Sequence, residues 1–431
     1  VLGSALGALL PFVVTAWFRS GRVTDPYFLA VGTTLFVTAI FAVALEAIFV
    51  PFAVEYRQLG QDAFRRGLAS VALQGATLAV VVAGFAAMVT SLWILPHTSM
   101  DHAQISSVVR LLLLLLPLPS LVTVSALLSA VHNANGWFGR AAISQVARPG
   151  GALLVGFAFR GAFGVSAVAV GLCLGELCRL CFLGWGTRRL IAQTPTRDQA
   201  GRAPKASAFW RVASPQVGSM VIAGLAPITD KIVSATFGTG SVTLIELSEK
   251  LFYTPMTLLS SGLAVVCGTA WAALAQDGSK QGMERLRSDY IRSQRLLALA
   301  GASVSVVCIA ATWILRGWAA RTLGLQNPHE FAITFTMFAA GLPFSLCVVL
   351  GTRLLSVCKR TKVLPVFAVL FCATNLLLDI LLGRIFGIAG VALSSTVVRA
   401  LSCALFVFAA RSLFASKTES QRLEQCDTAH S

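Results

Sequence analysis

Ionisable side chains interrupt the apolar stretches of this chain at Glu46, Arg148, Glu176, Arg179, Asp230, Lys231, Glu246, Glu249, Lys250, Arg353, Asp379 and Arg399. A charge at the middle of a bilayer costs about 2.5–3.5 kcal/mol on insertion scales, so such residues face a protein interior or a wet cavity. Two groups among them could do chemistry. The first is Asp230, Asn375, Asp379 and Ser395. Asn375 and Asp379 stand four residues apart, on one face of a helix, and all four offer oxygen, the ligand hard cations take. A small monovalent ion suits so weak a charge set. A hydrogen-bonded cluster that locks helices together, with Lys231 pairing a carboxylate, uses the same residues equally well. The second group is Glu246, Glu249 and Lys250. An ammonium in apolar surroundings attracts phosphate, or it answers Glu246 at i,i+4. Glu176 and Arg179, three residues apart, can neutralise each other, and Arg353 can snorkel toward the headgroups.

Nothing else points to catalysis. The chain carries no phosphate-binding G-x4-G-K-[ST] loop, no G-x-S-x-G elbow and no H-E-x-x-H. Cys173, Cys178 and Cys181 match an iron–sulfur spacing, but they sit in an apolar helix with no fourth thiolate nearby. No enzymatic activity, organic cofactor or zinc site is expected.

The elements that must hold these residues are set by composition. Of 431 residues, 56% are hydrophobic and 12% charged, against about 25% charged in soluble proteins, and the mean hydropathy is +0.78. A water-soluble protein is excluded. The net charge of +16 belongs to membrane-flanking loops rather than to a nucleic-acid partner. With about 20 apolar residues needed per crossing, spans fall near 1–18, 27–54, 68–95, 106–131, 138–159, 164–185, 208–236, 240–274, 295–316, 331–356, 363–384 and 386–411. The eighth is long enough to bend at Pro255, and Pro117 and Pro119 interrupt the fourth.

These spans give an all-α membrane protein with an N-terminal six-helix lobe over 1–186, a basic linker over 187–207, a C-terminal six-helix lobe over 208–411 and a polar tail over 412–431. Lys and Arg concentrate in the even-numbered connections and the tail, which puts both termini in the cytoplasm. The chain starts at Val1 inside an apolar segment, with no signal-peptide pattern, so a few residues are expected before it. The two halves echo each other: Thr15–Thr24 runs parallel to Ser234–Thr243, Leu118-Pro119 to Leu342-Pro343 and Gly164-Val165 to Gly390-Val391. Six plus six spans in one orientation make a parallel repeat of the kind transporters use. Depth along the helices agrees with the first group, because about 1.5 Å of rise per residue puts Asp230, Asn375, Asp379 and Ser395 roughly 8–13 Å below the outer ends of spans 7, 11 and 12.

Thr24-Asp25-Pro26-Tyr27-Phe28, Ile48-Phe49-Val50-Pro51 and Ala53-Val54-Glu55-Tyr56, followed by Gly240-Ser241-Val242, Ser248-Glu249-Lys250-Leu251 and Pro255, resemble the motifs of the MurJ (MviN) family at similar spacing. That family comprises lipid II flippases of the MOP superfamily, which also holds Wzx-type polysaccharide flippases and MATE exporters. The resemblance covers essentially the whole chain and implies two six-helix lobes forming a V around a cavity that opens alternately to each side. It implies a sodium site as well: Asp230, Asn375 and Asp379, with the Val391 carbonyl and the Ser395 hydroxyl completing it and Ser standing where threonine is usual. Lys250 falls where the family has a cavity arginine, and Asp25 where it has the Asp of T-D.

The departures are at the opening of the chain and in the second helix. The family carries one arginine just before V-L-G, a position that would precede Val1, and one in a following R-D. Here Val1-Leu2-Gly3 is followed by Ser4-Ala5-Leu6-Gly7, and the L-R-R of the second helix is replaced around Phe36-Val37-Thr38-Ala39 by apolar residues. Arginines there are thought to grip the pyrophosphate of lipid II, and one lysine does not replace an arginine fork. The cargo expected is therefore an undecaprenyl-pyrophosphate-linked glycan, bound by Lys250 with Asp25, Glu249, Arg148 and Arg399 around the cavity. The alternatives are a Wzx-type repeat-unit flippase, a MATE-like cation antiporter and a membrane scaffold that has lost its cargo. A monomer in the bacterial inner membrane is expected, with lipid as its other partner.

Overall fold

The computed structural model describes residues 2–196, 206–277, 279–358, 360 and 363–429. Among the described residues there are helices and no strands. In chain order they are α1 (Leu2–Phe18), α2 (Thr24–Leu59), α3 (Gln61–Val89), α4 (His102–Leu115) and α5 (Leu118–Ala134). Next come α6 (Phe138–Ser144), α7 (Ala147–Phe163), α8 (Ser166–Ala192), α9 (Ala206–Ser234) and α10 (Ser241–Asp277). The last are α11 (Lys280–Leu323), α12 (Pro328–Ala339), α13 (Leu342–Val357), α14 (Val363–Phe386) and α15 (Ile388–Ala429). Among the described residues, ten helical segments are long and apolar enough to cross a membrane. The expected spans 1 and 8 correspond to the shorter apolar helix Ala5–Phe18 and to α10.

Three expected spans are each built from two helices. The chain turns at Leu116-Pro117 between α4 and α5, at Gln145-Val146 between α6 and α7, and at Ala340-Gly341 between α12 and α13. At the first and third breaks a proline lies in the opening turn of the next helix, where its missing N–H costs nothing. By contrast α10 continues through Pro255. The basic linker begins as helix, because α8 runs to Ala192. Arg197, Arg202 and Lys205 lie outside the described residues.

Large apolar side chains point outward along these helices: Trp93 is 75% exposed, Ile314 79% and Phe408 70%. In water such surface would drive aggregation, whereas hydrocarbon solvates it without cost. The chain is a multi-pass membrane protein.

The contacts divide the chain into two compact units, 1–247 with 320–326, and 248–319 with 327–431. In the first unit, Phe41, Phe49, Tyr56, Phe64 and Phe209 form one buried core, and Tyr27, Phe28, Leu111, Leu115 and Val168 belong to a second. Glycine brings α7 and α8 together: a Cβ on Gly171 would stand 2.6 Å from the Gly151 carbonyl oxygen, and one on Gly175 would stand 2.9 Å from Arg148 Cα. This is the close packing expected of Gly171-xxx-Gly175.

The internal echo extends to the backbone. Arg19 (φ +64°) and Gly21 (φ +129°) precede α2, while Gly238 (φ +114°) and Gly240 (φ +97°) precede α10. The same pattern of left-handed residues thus occurs twice, 219 residues apart. Farther on, Gly164 (φ +55°) and Gly387 (φ +62°) open α8 and α15 in the same way.

Candidate functional site

In the first unit, Asp25 lies in the opening turn of α2 and is 2% exposed. Its Oδ1 accepts hydrogen bonds from the Thr243 backbone N–H at 3.0 Å and from the Thr243 hydroxyl at 2.6 Å, and its Oδ2 accepts from the Gly240 N–H. The first N–H groups of a helix have no partner within it. A carboxylate from another helix supplies one here and places negative charge at the positive end of α10. Beside it the Thr24 and Thr243 hydroxyls, equivalent residues of the two repeats, meet at 2.9 Å. Asp25 thus fixes the head of the helix that carries Glu246, Glu249 and Lys250.

Lys231 and Glu246 are both buried, and Lys231 Nζ lies 2.5 Å from Glu246 Oε2. The lysine crosses α2 at Gly32, where a Cβ would stand 3.0 Å from its Cδ. Sequence spacing pointed Glu246 toward Lys250. The Lys231 partner lies on another helix, which i,i+4 reasoning does not reach. Lys231 pairing a carboxylate was expected, within the other group of residues. Asp230, the neighbour of Lys231, is 3% exposed, and its backbone carbonyl accepts the Ser234 hydroxyl at 2.6 Å.

The same unit holds a charged triad. Glu176 is fully buried; its Oε1 lies 3.1 Å from Arg179 Nη1 and its Oε2 lies 3.9 Å from Arg148 Nε. Arg179 Nε also donates to the Ser144 hydroxyl at 3.3 Å. Two guanidinium groups share one carboxylate, and the Arg148 side chain is one-third exposed. Another carboxylate of this unit, Glu46, accepts from Ser129 at 2.8 Å and Asn133 at 3.1 Å, joining α2 to α5.

In the second unit, Asp379 is fully buried, with Asn375 Nδ2 donating to its Oδ2 at 2.8 Å. Its Oδ1 is met by the Ser394 hydroxyl, which also lies 2.8 Å from the Val391 carbonyl oxygen. The Ser394 hydroxyl thus stands between an Asp379 oxygen and the Val391 carbonyl oxygen, which brings three oxygens together. That donor set fits a hard cation. Ser395, the residue expected there, is buried. Ser394 is the residue that sequence reasoning missed, although adjacent serines were the signal that either could face the aspartate. Of the expected ion ligands, Asn375, Asp379, Val391 and Ser395 belong to this unit and Asp230 to the other.

Also in the second unit, Glu249 is buried and Lys250 is half-buried on α10. Arg399 on α15 stacks its guanidinium on Phe252, 4.2 Å from the ring centroid, and lies 5.4 Å from that of Phe338.

The family model described as lipid II flippase MurJ matches residues 14–423. A probable lipid II flippase MurJ of Thermotoga maritima is 25% identical over 397 residues, which make up 91% of this chain and 79% of that protein. Among solved structures, a lipid II flippase MurJ in an inward closed conformation matches with a TM-score of 0.75 at 17% identity, covering 95% of this chain and 86% of that one. An inward-facing multidrug resistance transporter of the MATE family, in the MOP superfamily, matches with a TM-score of 0.71 at 13% identity, covering 96% of each chain. At such identities the structural likeness speaks for the fold alone.

Proposed function

Because this chain belongs to the lipid II flippase MurJ family, whose members are transporters rather than enzymes, we propose that it moves an undecaprenyl-pyrophosphate-linked glycan from the cytoplasmic to the outer leaflet of a bacterial inner membrane. The observation that carries this reading is the family match over nearly the entire chain. Two six-helix lobes, 1–186 and 208–411, would alternate access to the two sides of the membrane, with both termini in the cytoplasm and the protein acting as a monomer. The head group enters the cavity while the polyprenyl tail stays in lipid.

Lys250, Arg148 and Arg399 are the cations we assign to the cargo's phosphates, with Glu249 beside Lys250 on α10. Asp25 acts on the same site by holding the head of that helix through Gly240 and Thr243. Sodium at Asp230, Asn375, Asp379, Val391 and Ser395 would bias the equilibrium between the two states, which it can do only by binding them unequally. The oxygens converging on Ser394 support a cation there. The membrane potential would add about 2.3 kcal/mol per charge moved through 100 mV.

A Wzx-type repeat-unit flippase is the second reading, and one observation favours it. No basic residue stands around Phe36-Val37-Thr38-Ala39, where the resemblance leads one to expect the family's L-R-R. Complementation of cells depleted of their own lipid II flippase separates the two. Rescue by this protein, lost with Lys250→Ala and with Asp379→Ala at equal membrane expression, is the expected result. Failure of a well-expressed wild-type chain to rescue would remove lipid II as the cargo and leave another lipid-linked glycan to test.

A further inference from the structure

We propose that Arg399, braced by Phe252 and Phe338, grips a phosphate of the cargo through a planar pair of N–H donors. The inference rests on the reading of the cargo as a polyprenyl-pyrophosphate-linked molecule.

Counter-charge sets Arg399 apart from Arg148, Arg179 and Lys231. Arg148 and Arg179 are answered by Glu176, and Lys231 by Glu246. Arg399 differs: among the described residues no carboxylate lies within 4.0 Å of it. Its Nη1 is enclosed by protein and has no hydrogen-bond acceptor. Counted from Ile388, the first residue of α15, Arg399 lies roughly 17 Å along the helix, well inside a hydrocarbon core about 30 Å thick. A permanent cation at that depth, satisfied only by ring faces, holds a donor without a mate.

The surroundings keep that donor in place. Stacking on Phe252 occupies one face of the guanidinium, and its N–H groups, which lie in the plane, are the donors a phosphate would meet. The arm of the side chain lies against Gly341, where a Cβ would stand 3.1 Å from Arg399 Cδ and 2.8 Å from Thr396 Oγ1. Thr396 in turn donates its hydroxyl to the Met337 carbonyl at 2.5 Å. Gly341 is also the residue from which α13 starts, with no side chain capping it, so the partial positive charge of that helix end adds to that of the guanidinium. A planar fork of N–H donors in apolar surroundings suits a phosphate, which can accept two parallel hydrogen bonds from it. A lysine would offer charge without the fork.

The test uses the full-length protein in lipid nanodiscs and two probes of equal chain length, a polyprenyl pyrophosphate without glycan and the corresponding polyprenyl alcohol. Binding is read by intrinsic tryptophan fluorescence, with the melting temperature as the check on folding. The wild type is expected to prefer the pyrophosphate. Arg399→Gln should reduce that preference roughly tenfold to a hundredfold, the worth of charge-assisted hydrogen bonds, and leave affinity for the alcohol unchanged. Arg399→Lys should recover only part of it. Full preference in a folded Arg399→Gln protein would overturn the proposal, because Arg399 would then be a packing residue. Should Arg399→Gln not fold, wild-type preference in Arg399→Lys would overturn the fork in the same way. A wild type with no preference for pyrophosphate defeats the reading of the cargo as well, an outcome distinct from a defect confined to Arg399 variants.

Discussion

Asp25 and Thr243 stand 218 residues apart in the chain and share two hydrogen bonds, from the threonine's backbone N–H and from its hydroxyl to the same carboxylate oxygen. Each lies at the start of a long helix, and Thr243 is the repeat counterpart of Thr24, the residue before Asp25. The joint therefore ties the opening turns of the two repeats to each other, and the negative charge that caps α10 also lies in the favourable first turn of α2.

Asp25→Asn tests that joint. The amide can keep one acceptor, but its NH2 group then confronts a backbone N–H that needs an acceptor. A buried donor left unsatisfied costs about 1–3 kcal/mol, and more where a charged group was its partner. The melting temperature of the purified protein should fall, and Thr243→Val should lower it less because the backbone bonds remain. An unchanged melting temperature in Asp25→Asn would show that α10 does not depend on this cap.

Much of the fold was legible because apolar runs of membrane length have one stable outcome in lipid, the helix that satisfies its own backbone. Helices stand at all of the expected spans, and the echo of Thr15–Thr24 in Ser234–Thr243 reappears as matching positive φ values. The pairing of charges was less legible. Spacing along one helix found Glu176 with Arg179 and Asn375 with Asp379, since neighbours at i,i+3 and i,i+4 share a face. It could not find Lys231 with Glu246 or Asp25 with Gly240, because those pairs depend on how separate helices pack. Ser394 was missed for a finer reason. Adjacent helix positions differ by about 100°, and a sequence does not fix that phase to within one residue.

The Lys231–Glu246 pair is buried on both sides, at 10% and 7% side-chain exposure. Breaking a buried pair by removing one partner costs about 3–5 kcal/mol, whereas replacing both with apolar groups is often neutral. Glu246→Gln should therefore be strongly destabilised, and Lys231→Met combined with Glu246→Leu should regain most of the loss. A double variant no better than the single one would show that the pair is not an isolated unit. Thermal unfolding in one detergent reads all three proteins.

The seam between α7 and α8 makes a steric prediction. Gly175 faces the backbone of Arg148, and Gly171 that of Gly151 and Ala152, so any side chain must push a helix aside rather than turn a rotamer. Gly175→Val should abolish accumulation of folded protein in the membrane. Gly161→Val, at a position with nothing within 4 Å of an added Cβ, should not. Equal accumulation of the two variants would mean that the seam does not determine folding.

Sodium binding can be read without transport. A ligand that binds only the folded state stabilises it by RT ln(1 + [L]/Kd), about 1.4 kcal/mol at tenfold excess over Kd. The melting temperature should therefore rise in sodium chloride relative to potassium chloride at equal ionic strength, and Asp379→Asn should remove the difference. The two serines separate the ligand from its understudy. Ser394 holds one Asp379 oxygen and the Val391 carbonyl, the oxygens a cation would need. Ser394→Ala releases them and should preserve or enlarge the sodium-specific shift. Ser395→Ala should diminish that shift if its hydroxyl is a ligand. The reverse pattern would assign the ion to Ser394, and a wild type that melts identically in both salts would remove sodium from the mechanism.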